Sequence, residues 1–460
     1  MKQYYTNLAF LFSFLLIVNM LIAQDGETKQ LAGRLDSLYT ELNTYGEFNG
    51  NVLIAKKGKE IYCKSFGVSD KENGIPLSPR SIFYLASVSK QFTATAVVLL
   101  ANEKKLKYSD AITQYLPELG SYHGVTIENL IHHTSGLPDY VDLFKKDWDS
   151  IETITNEEVI KRLGEQRPEL RFVPGEKWQY SNTGYLLLAS IIERVSKQTY
   201  GAYLDEHIFG PLNMDDTKVL FVHKDKIKDP QIAKAHYDNP EDMEYVQKLD
   251  GTYGQAKIYS TVRDLLKWDR ALKNNLLVSQ KDKESMFTSS LLNSGEETGY
   301  GFGWYIEQEE PFKKMVNHSG YFPGYLTYLE QHIDHDMTII ILQNNENRTG
   351  KKRLPIVETR NILYHIPNKN DVRLPEATLQ KYVGVYVNEK GKDIPISLKH
   401  HSLWTNNGFD LIPVSETKFK VNGFWPEVTY TFILDGKGAV EGYRMEQPEQ
   451  GVDKTLERKR

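Results

Sequence analysis

Tyr84-Leu85-Ala86-Ser87-Val88-Ser89-Lys90-Gln91-Phe92-Thr93 joins two kinds of chain. Before it, Arg80 to Ala86 reads as a short apolar strand or turn. After it, Thr93 to Leu100 is a helical run rich in Ala, Val and Leu. A helix starting near Ser87 puts Ser87 and Lys90 on one face, since they are three residues apart. A hydroxyl one turn from an amine is a route to a nucleophile, because serine is too weak at neutral pH without an adjacent base. Lysine serves as that base only where its surroundings lower its pKa from about 10.4. The tetrad is short, and Ser415-Glu416-Thr417-Lys418 repeats it in what reads as a solvated strand or turn. Its meaning therefore depends on the rest of the chain.

A length of 460 residues suggests two or three domains. With 40% hydrophobic and 25% charged residues, the composition is that of an ordinary globular protein. The net charge is −5 and no long basic stripe occurs, which argues against a nucleic-acid partner. At the start, Lys2 precedes the apolar run Leu8 to Val18, and polar residues begin at Gln24. That is the pattern of a secretory signal peptide cut near Ala23, so the mature chain is expected to be secreted or periplasmic, with no stable membrane span. An uncleaved anchor is the alternative, but the run is short and broken by Ser13 and Asn19. The single cysteine, Cys63, cannot form an internal disulfide and is expected as a buried apolar residue on a strand.

Leu31, Leu35, Leu38 and Leu42 predict a helix over residues 28–45. Asn51 to Ala55 and Glu60 to Phe66, joined by Lys56-Lys57-Gly58-Lys59, predict a β-hairpin. A helix, then strands, then a long helical stretch points to an α+β fold rather than regular βαβ alternation. Residues 126–140 read as a short helix and a turn-rich loop. His132 and His133 there are adjacent, so they point about 100° apart on a helix and make a poor metal pair; both are read as structural. Pro174-Gly175 marks a turn, and Ser181-Asn182-Thr183 a helix start, which places Tyr180 and Asn182 at a loop–helix junction. A further helix opens after Tyr259, capped by Ser260 or Thr261, with Asp264 in its first turn. Tyr300 to Ile306, Leu326 to Gln331 and Met337 to Gln343 read as strands, so the antiparallel sheet draws strands from both ends of the chain. Residues 367–375 read as a linker. Short strand-like runs beyond it, from Tyr382 to Met445, predict a small β-barrel or sandwich. The expected division is a leader over 1–23, a main domain over 24–366, the linker, and a C-terminal domain over 376–460.

Ser87-x-x-Lys90, Tyr180-x-Asn182 and His318-Ser319-Gly320 follow one another at wide spacing. Tyr-x-Asn alone is weak, since it recurs at Tyr5, Tyr237 and Tyr386. As an ordered set, the motifs resemble those of the serine β-lactamase-like, penicillin-binding-protein-related hydrolases, especially the class C β-lactamase and D-peptidase or esterase branch. The flanks agree: His133-Thr134-Ser135-Gly136-Leu137-Pro138, Pro174-Gly175 with Trp178, Gly210-Pro211-Leu212-Asn213-Met214, and Tyr259-Ser260-Thr261 with Asp264 and Trp268. No G-x-S-x-G elbow occurs. The resemblance implies a β-lactamase/transpeptidase-like fold, with an antiparallel sheet flanked by helices and an all-helical subdomain. The C-terminal module resembles the lipocalin-like domains often appended to such hydrolases.

By this resemblance Ser87 is the nucleophile and forms an acyl-enzyme. Lys90 and Tyr180 form the base system, and which of them takes the Ser87 proton stays open. Asn182 would bond Lys90 and a substrate carbonyl; His318, Ser319 and Gly320 would border the substrate; the N–H groups of Ser87 and Tyr321 would form the oxyanion hole. The chain departs from the family pattern in two places. His318 stands where β-lactamases carry lysine, and histidine is mostly neutral at pH 7, which moves the expectation from β-lactams toward esters or peptides. Lys257 follows Gly254-Gln255-Ala256 where relatives often have small residues, and is expected at the surface. The implied function is a serine hydrolase without a cofactor, cleaving an amide or ester: a D-amino-acid peptide, a β-lactam or a small ester, with cell-wall peptides in that class. The rival from another class is a non-hydrolytic penicillin-recognising or sensor protein. A metalloenzyme ranks last, because no H-x-x-x-H pair occurs.

Overall fold

The computed structural model describes residues 26–44, 46–221, 229–236, 240–345, 354–366, 374–399, 402–421, 427–448 and 451–459. The expected leader lies outside the described residues, as does the expected linker apart from 374–375. The first helix, α1 (26–44), buries Leu31, Leu35 and Leu42 along one stripe. The hairpin follows as β1 (Gly50–Lys56) and β2 (Lys59–Phe66). Four later strands complete its sheet: β3 (Tyr305–Glu309), β4 (Lys313–Phe322), β5 (Tyr325–His332) and β6 (Met337–Gln343). The spatial order is β2-β1-β6-β5-β4-β3, antiparallel throughout, so β1 from the start of the chain pairs with β6 from far along it.

Alternation along the strands loads both faces of this sheet. Val52, Ile54, Ile339 and Ile341 pack with α1 and with a later helix, Ile356–Leu363. Leu53, Ala55, Ile340 and Leu342 belong to the larger core on the other face. That core is built around α2 (Lys90–Asn102), which is buried continuously from Lys90 to Val98. A helix apolar on nearly every side belongs in the middle of a protein, and this explains its Ala, Val and Leu content. Two further helices pack on this side. In α3 (Asn182–Ser196) the Ser181 hydroxyl accepts from the Gly184 N–H, and in α4 (Val262–Lys273) the Thr261 hydroxyl accepts from the Asp264 N–H. Both caps fall where the sequence places them.

Two expectations are corrected here. Residues 300–304 are not a strand: Gly303 has φ +79, and a side chain at Gly301 would meet the Met286 carbonyl at 2.2 Å. The glycines let this segment turn tightly against its neighbours, and the strand begins only at Tyr305. Lys257 is not at the surface. It is 2% exposed, and its amine lies 2.7 Å from an Asp250 carboxylate oxygen. A partner seven residues away supplied the counter-charge that lysine burial requires. Cys63 is partly buried on β2, and burial pushes its thiol pKa up, away from the reactive thiolate.

The C-terminal region is a closed barrel of eight strands: β7 (Gly384–Val387), β8 (Asp393–Lys399), β9 (Ser402–Trp404), β10 (Asp410–Pro413), β11 (Lys418–Val421), β12 (Thr429–Leu434), β13 (Val440–Gln447) and β14 (Val452–Arg458). Strands pair in chain order, and Tyr386 opposite Arg458 closes the ring. The second Ser-x-x-Lys copy is the turn between β10 and β11, where the Ser415 hydroxyl accepts from the Lys418 N–H at 3.0 Å.

Candidate active site

Ser87 lies in a tight 3₁₀ turn, Ala86–Ser89, between the short strand Phe83–Tyr84 and α2. Ala86 adopts φ +48, a left-handed conformation that lets the chain reverse sharply just before Ser87. Lys90 opens α2 and is 0% exposed. Its amine lies 3.1 Å from Ser87 Oγ, 2.8 Å from Asn182 Oδ1 and 3.0 Å from the Gln255 carbonyl oxygen. No carboxylate is among these partners. Burial therefore holds the Lys90 pKa well below its ordinary value, against a weaker opposite pull from Asp139. A neutral amine has two N–H donors and one lone pair. Two of its neighbours are carbonyl oxygens, which can only accept. A neutral Lys90 that donated both N–H groups to them would turn its lone pair to the Ser87 hydroxyl.

Tyr180 is partly buried, and the Lys90 amine lies 4.7 Å from its ring centroid. Burial raises the phenol pKa, opposed by a hydrogen bond with Ser87, so Tyr180 keeps its proton at neutral pH. The His133 ring lies 4.4 Å from that of Tyr180, and its Nδ1 accepts the Ser181 N–H at 3.1 Å. Burial and the nearby Lys90 push the His133 pKa well down, so the ring is a neutral brace.

His318 on β4 is 2% exposed. Burial, then the Lys90 charge, push its pKa down to about 3. Its Nδ1–H donates to the Ser319 carbonyl at 2.6 Å, and Nε2 accepts from the Tyr300 hydroxyl at 3.1 Å. Gly320 is where β4 touches the nucleophile turn: a Cβ there would stand 2.2 Å from the Leu85 carbonyl oxygen. Thr327 of the neighbouring strand donates to that same oxygen at 2.7 Å. Tyr321, 48% exposed, borders the open side.

A cavity of about 210 Å³ opens over Ser87, with Asn182, Tyr84, Tyr140, Tyr245 and Tyr321 on its wall and, among the described residues, no charged side chain lining it. The structure thus gathers Ser87, Lys90, Tyr180 and Asn182 into one cluster, with Tyr321 at its mouth and His318 buried behind Tyr180 at a ring separation of 6.0 Å. Sequence reasoning set His133 aside and missed Tyr300 and the Gln255 carbonyl. The run from His133 to Pro138 was the available signal for the first. A main-chain oxygen carries no residue signature.

Residues 35–359 match the family model described as Beta-lactamase. The chain belongs to the Beta-lactamase family. Over 444 residues it is 34% identical to penicillin-binding protein 4* of Bacillus subtilis, covering 91% of this chain and 98% of that one. Among solved structures, the octameric penicillin-binding protein homologue from Pyrococcus abyssi superposes with a TM-score of 0.65 at 24% identity, covering 92% of this chain and 99% of that one. The D-amino acid amidase from Ochrobactrum anthropi gives 0.58 at 22% identity, covering 73% and 98%. These two likenesses are of fold. Relatives in the Beta-lactamase family are typically serine hydrolases, and at that level the hydroxyl–amine–phenol cluster fits the family.

Proposed function

We propose that this Beta-lactamase family member cleaves an amide or ester that carries no carboxylate, through an acyl-enzyme on Ser87. One observation carries the reading: a fully buried amine, 3.1 Å from a serine hydroxyl, held by two carbonyl oxygens and no carboxylate. Lys90 takes the Ser87 proton while Oγ bonds to the substrate carbonyl carbon. Tyr180, still protonated, gives its proton to the departing nitrogen or oxygen and regains one from Lys90. Water then attacks the acyl carbon, Lys90 takes a proton from it, and Ser87 is restored with the acid released.

The N–H groups of Ser87 and Tyr321 are the oxyanion donors in this reading. Phe322 and Tyr325 pair across the Pro323-Gly324 turn, so ladder alternation directs the Tyr321 N–H away from β5. Loss of one such donor costs about 3–4 kcal/mol in comparable sites. Charge supports the substrate class: among the described residues the cavity wall carries no charged side chain, and His318 is held neutral, so none of these groups favours a substrate carboxylate. Amides of D-amino acids, the class in the name of the Ochrobactrum neighbour of the fold, and the corresponding esters are the first to test.

A fluorophosphonate probe should label the wild type and leave Ser87→Ala unlabelled. A panel of aryl ester, D-amino-acid amide, D-Ala-D-Ala peptide and chromogenic cephalosporin should show turnover best on the two members without a carboxylate, the ester and the amide. No label on folded protein overturns the reading. Durable labelling without turnover on any member favours a sensor instead.

A further inference from the structure

Gly254 to Ile258 runs alongside the nucleophile turn and is stitched to it. Thr93 Oγ1 donates to the Gly254 carbonyl at 2.6 Å, and Lys90 Nζ lies 3.0 Å from the Gln255 carbonyl. The Ile258 N–H donates to Ser89 Oγ at 3.3 Å, and the Leu85 N–H to the Ile258 carbonyl at 2.8 Å. Every bond involves a residue within a few positions of Ser87. The placement of this segment therefore sets the surroundings of the Lys90 amine.

Lys257 sits inside that segment with two unusual features. Its φ is +83, in the region that favours glycine and that long side chains rarely adopt. Its amine is buried against Asp250, which is 2% exposed and lies just past the helix Pro240–Lys248. The Tyr84 ring, part of the cavity wall, is 5.8 Å from this amine, and the Phe221 ring 5.9 Å. A buried ion pair stabilises a fold no better than apolar side chains of the same volume. A strained backbone stabilises nothing, and such outliers cluster where function holds them. Stability alone gives no reason for a lysine here.

We propose that the Lys257–Asp250 pair is a positioning device for Lys90. By pinning the middle of the segment, it keeps the Gln255 carbonyl on the Lys90 amine, and so keeps the lone pair aimed at Ser87. The inference rests on the reading of Lys90 as the base.

The test uses the full chain, an aryl ester, and Lys257→Met, Asp250→Asn and Lys257→Arg, with kcat, KM, the pH profile of kcat/KM and Tm for each. The two pair-breaking variants should lose about 10- to 100-fold in kcat, the effect of roughly 1 Å of misplacement, with KM little changed and the acid limb of the profile displaced. Lys257→Arg, which keeps charge and donors, should recover most of the loss. Should Lys257→Met not fold, Lys257→Gly accepts the same backbone conformation and gives the same readouts. A lowered Tm with kcat and the acid limb unmoved would overturn the proposal and leave the pair a structural fastener. Wild type that no probe acylates at Ser87 would remove the base reading and this inference together; acylated wild type with indifferent variants removes only the inference.

Discussion

Lys90 is an unfavourable residue for the fold, and in the proposed reaction it is the base. Its pKa in the folded protein lies well below the ordinary lysine value, so between the two the unfolded chain binds more protons and stability rises with pH. At neutral pH that burial destabilises the protein. Lys90→Met, similar in shape and uncharged, should therefore raise the urea midpoint at pH 7 while lowering acylation about 10³-fold or more. The acid limb of kcat/KM should report protonation of Lys90. The other titratable groups around it are His133 and His318, both held neutral, Tyr180 and Tyr185, both raised, and Asp139. Because His318 is held down to about 3, His318→Gln should leave the acid limb in place above about pH 5. A limb that moves with His318→Gln would assign it to the histidine. At this scale the sequence was legible wherever side-chain chemistry is unusual for its spacing: Ser87, Lys90, Tyr180 and Asn182, read as one group from distant motifs, do lie together. Lys257 was misread because its burial depends on Asp250, a pairing that no local pattern announces.

Between elements, the contact that matters most is β4 against the nucleophile turn. Gly320→Ala would drive a methyl into the Leu85 carbonyl oxygen and Thr327 Oγ1, each 2.2 Å from the new Cβ. Both are fixed parts of the site, so the strand must retreat. We expect about 100-fold slower acylation and a loss of roughly 1–3 kcal/mol in stability, measured by stopped-flow labelling and urea denaturation. Unchanged labelling would show that β4 does not border the reacting atoms. Periodicity revealed the elements whose burial is one-sided or complete, such as α1, the β1–β2 hairpin, β5 and β6. It failed at residues 300–304, where aromatic residues alternating with Gly301 and Gly303 imitate a strand but form a close-packed turn. It also missed β4, β9, β10 and β14. Of these, β14 buries only Leu456, too little apolar signal to mark a strand.

Over the whole molecule, three apolar cores are separate in their residues: one on each face of the main sheet and one inside the barrel. Separate cores predict separable damage. Phe432 is 3% exposed in the barrel, with the Tyr382 ring at 4.4 Å and the Phe419 ring at 5.4 Å. Phe432→Ala should cost the barrel about 3–5 kcal/mol, seen as a shifted transition in calorimetry, while the Ser87 labelling rate stays as in wild type. A matching fall in labelling would show that the two regions act as one unit.

Tyr386 and Tyr443, 4.8 Å apart, join those rings, so the described staves are corked by their own aromatics. Where those rings meet, side chains fill the space between the strands. The closed hoop gives each described stave a neighbour on both sides, so a visiting strand finds no open rail there.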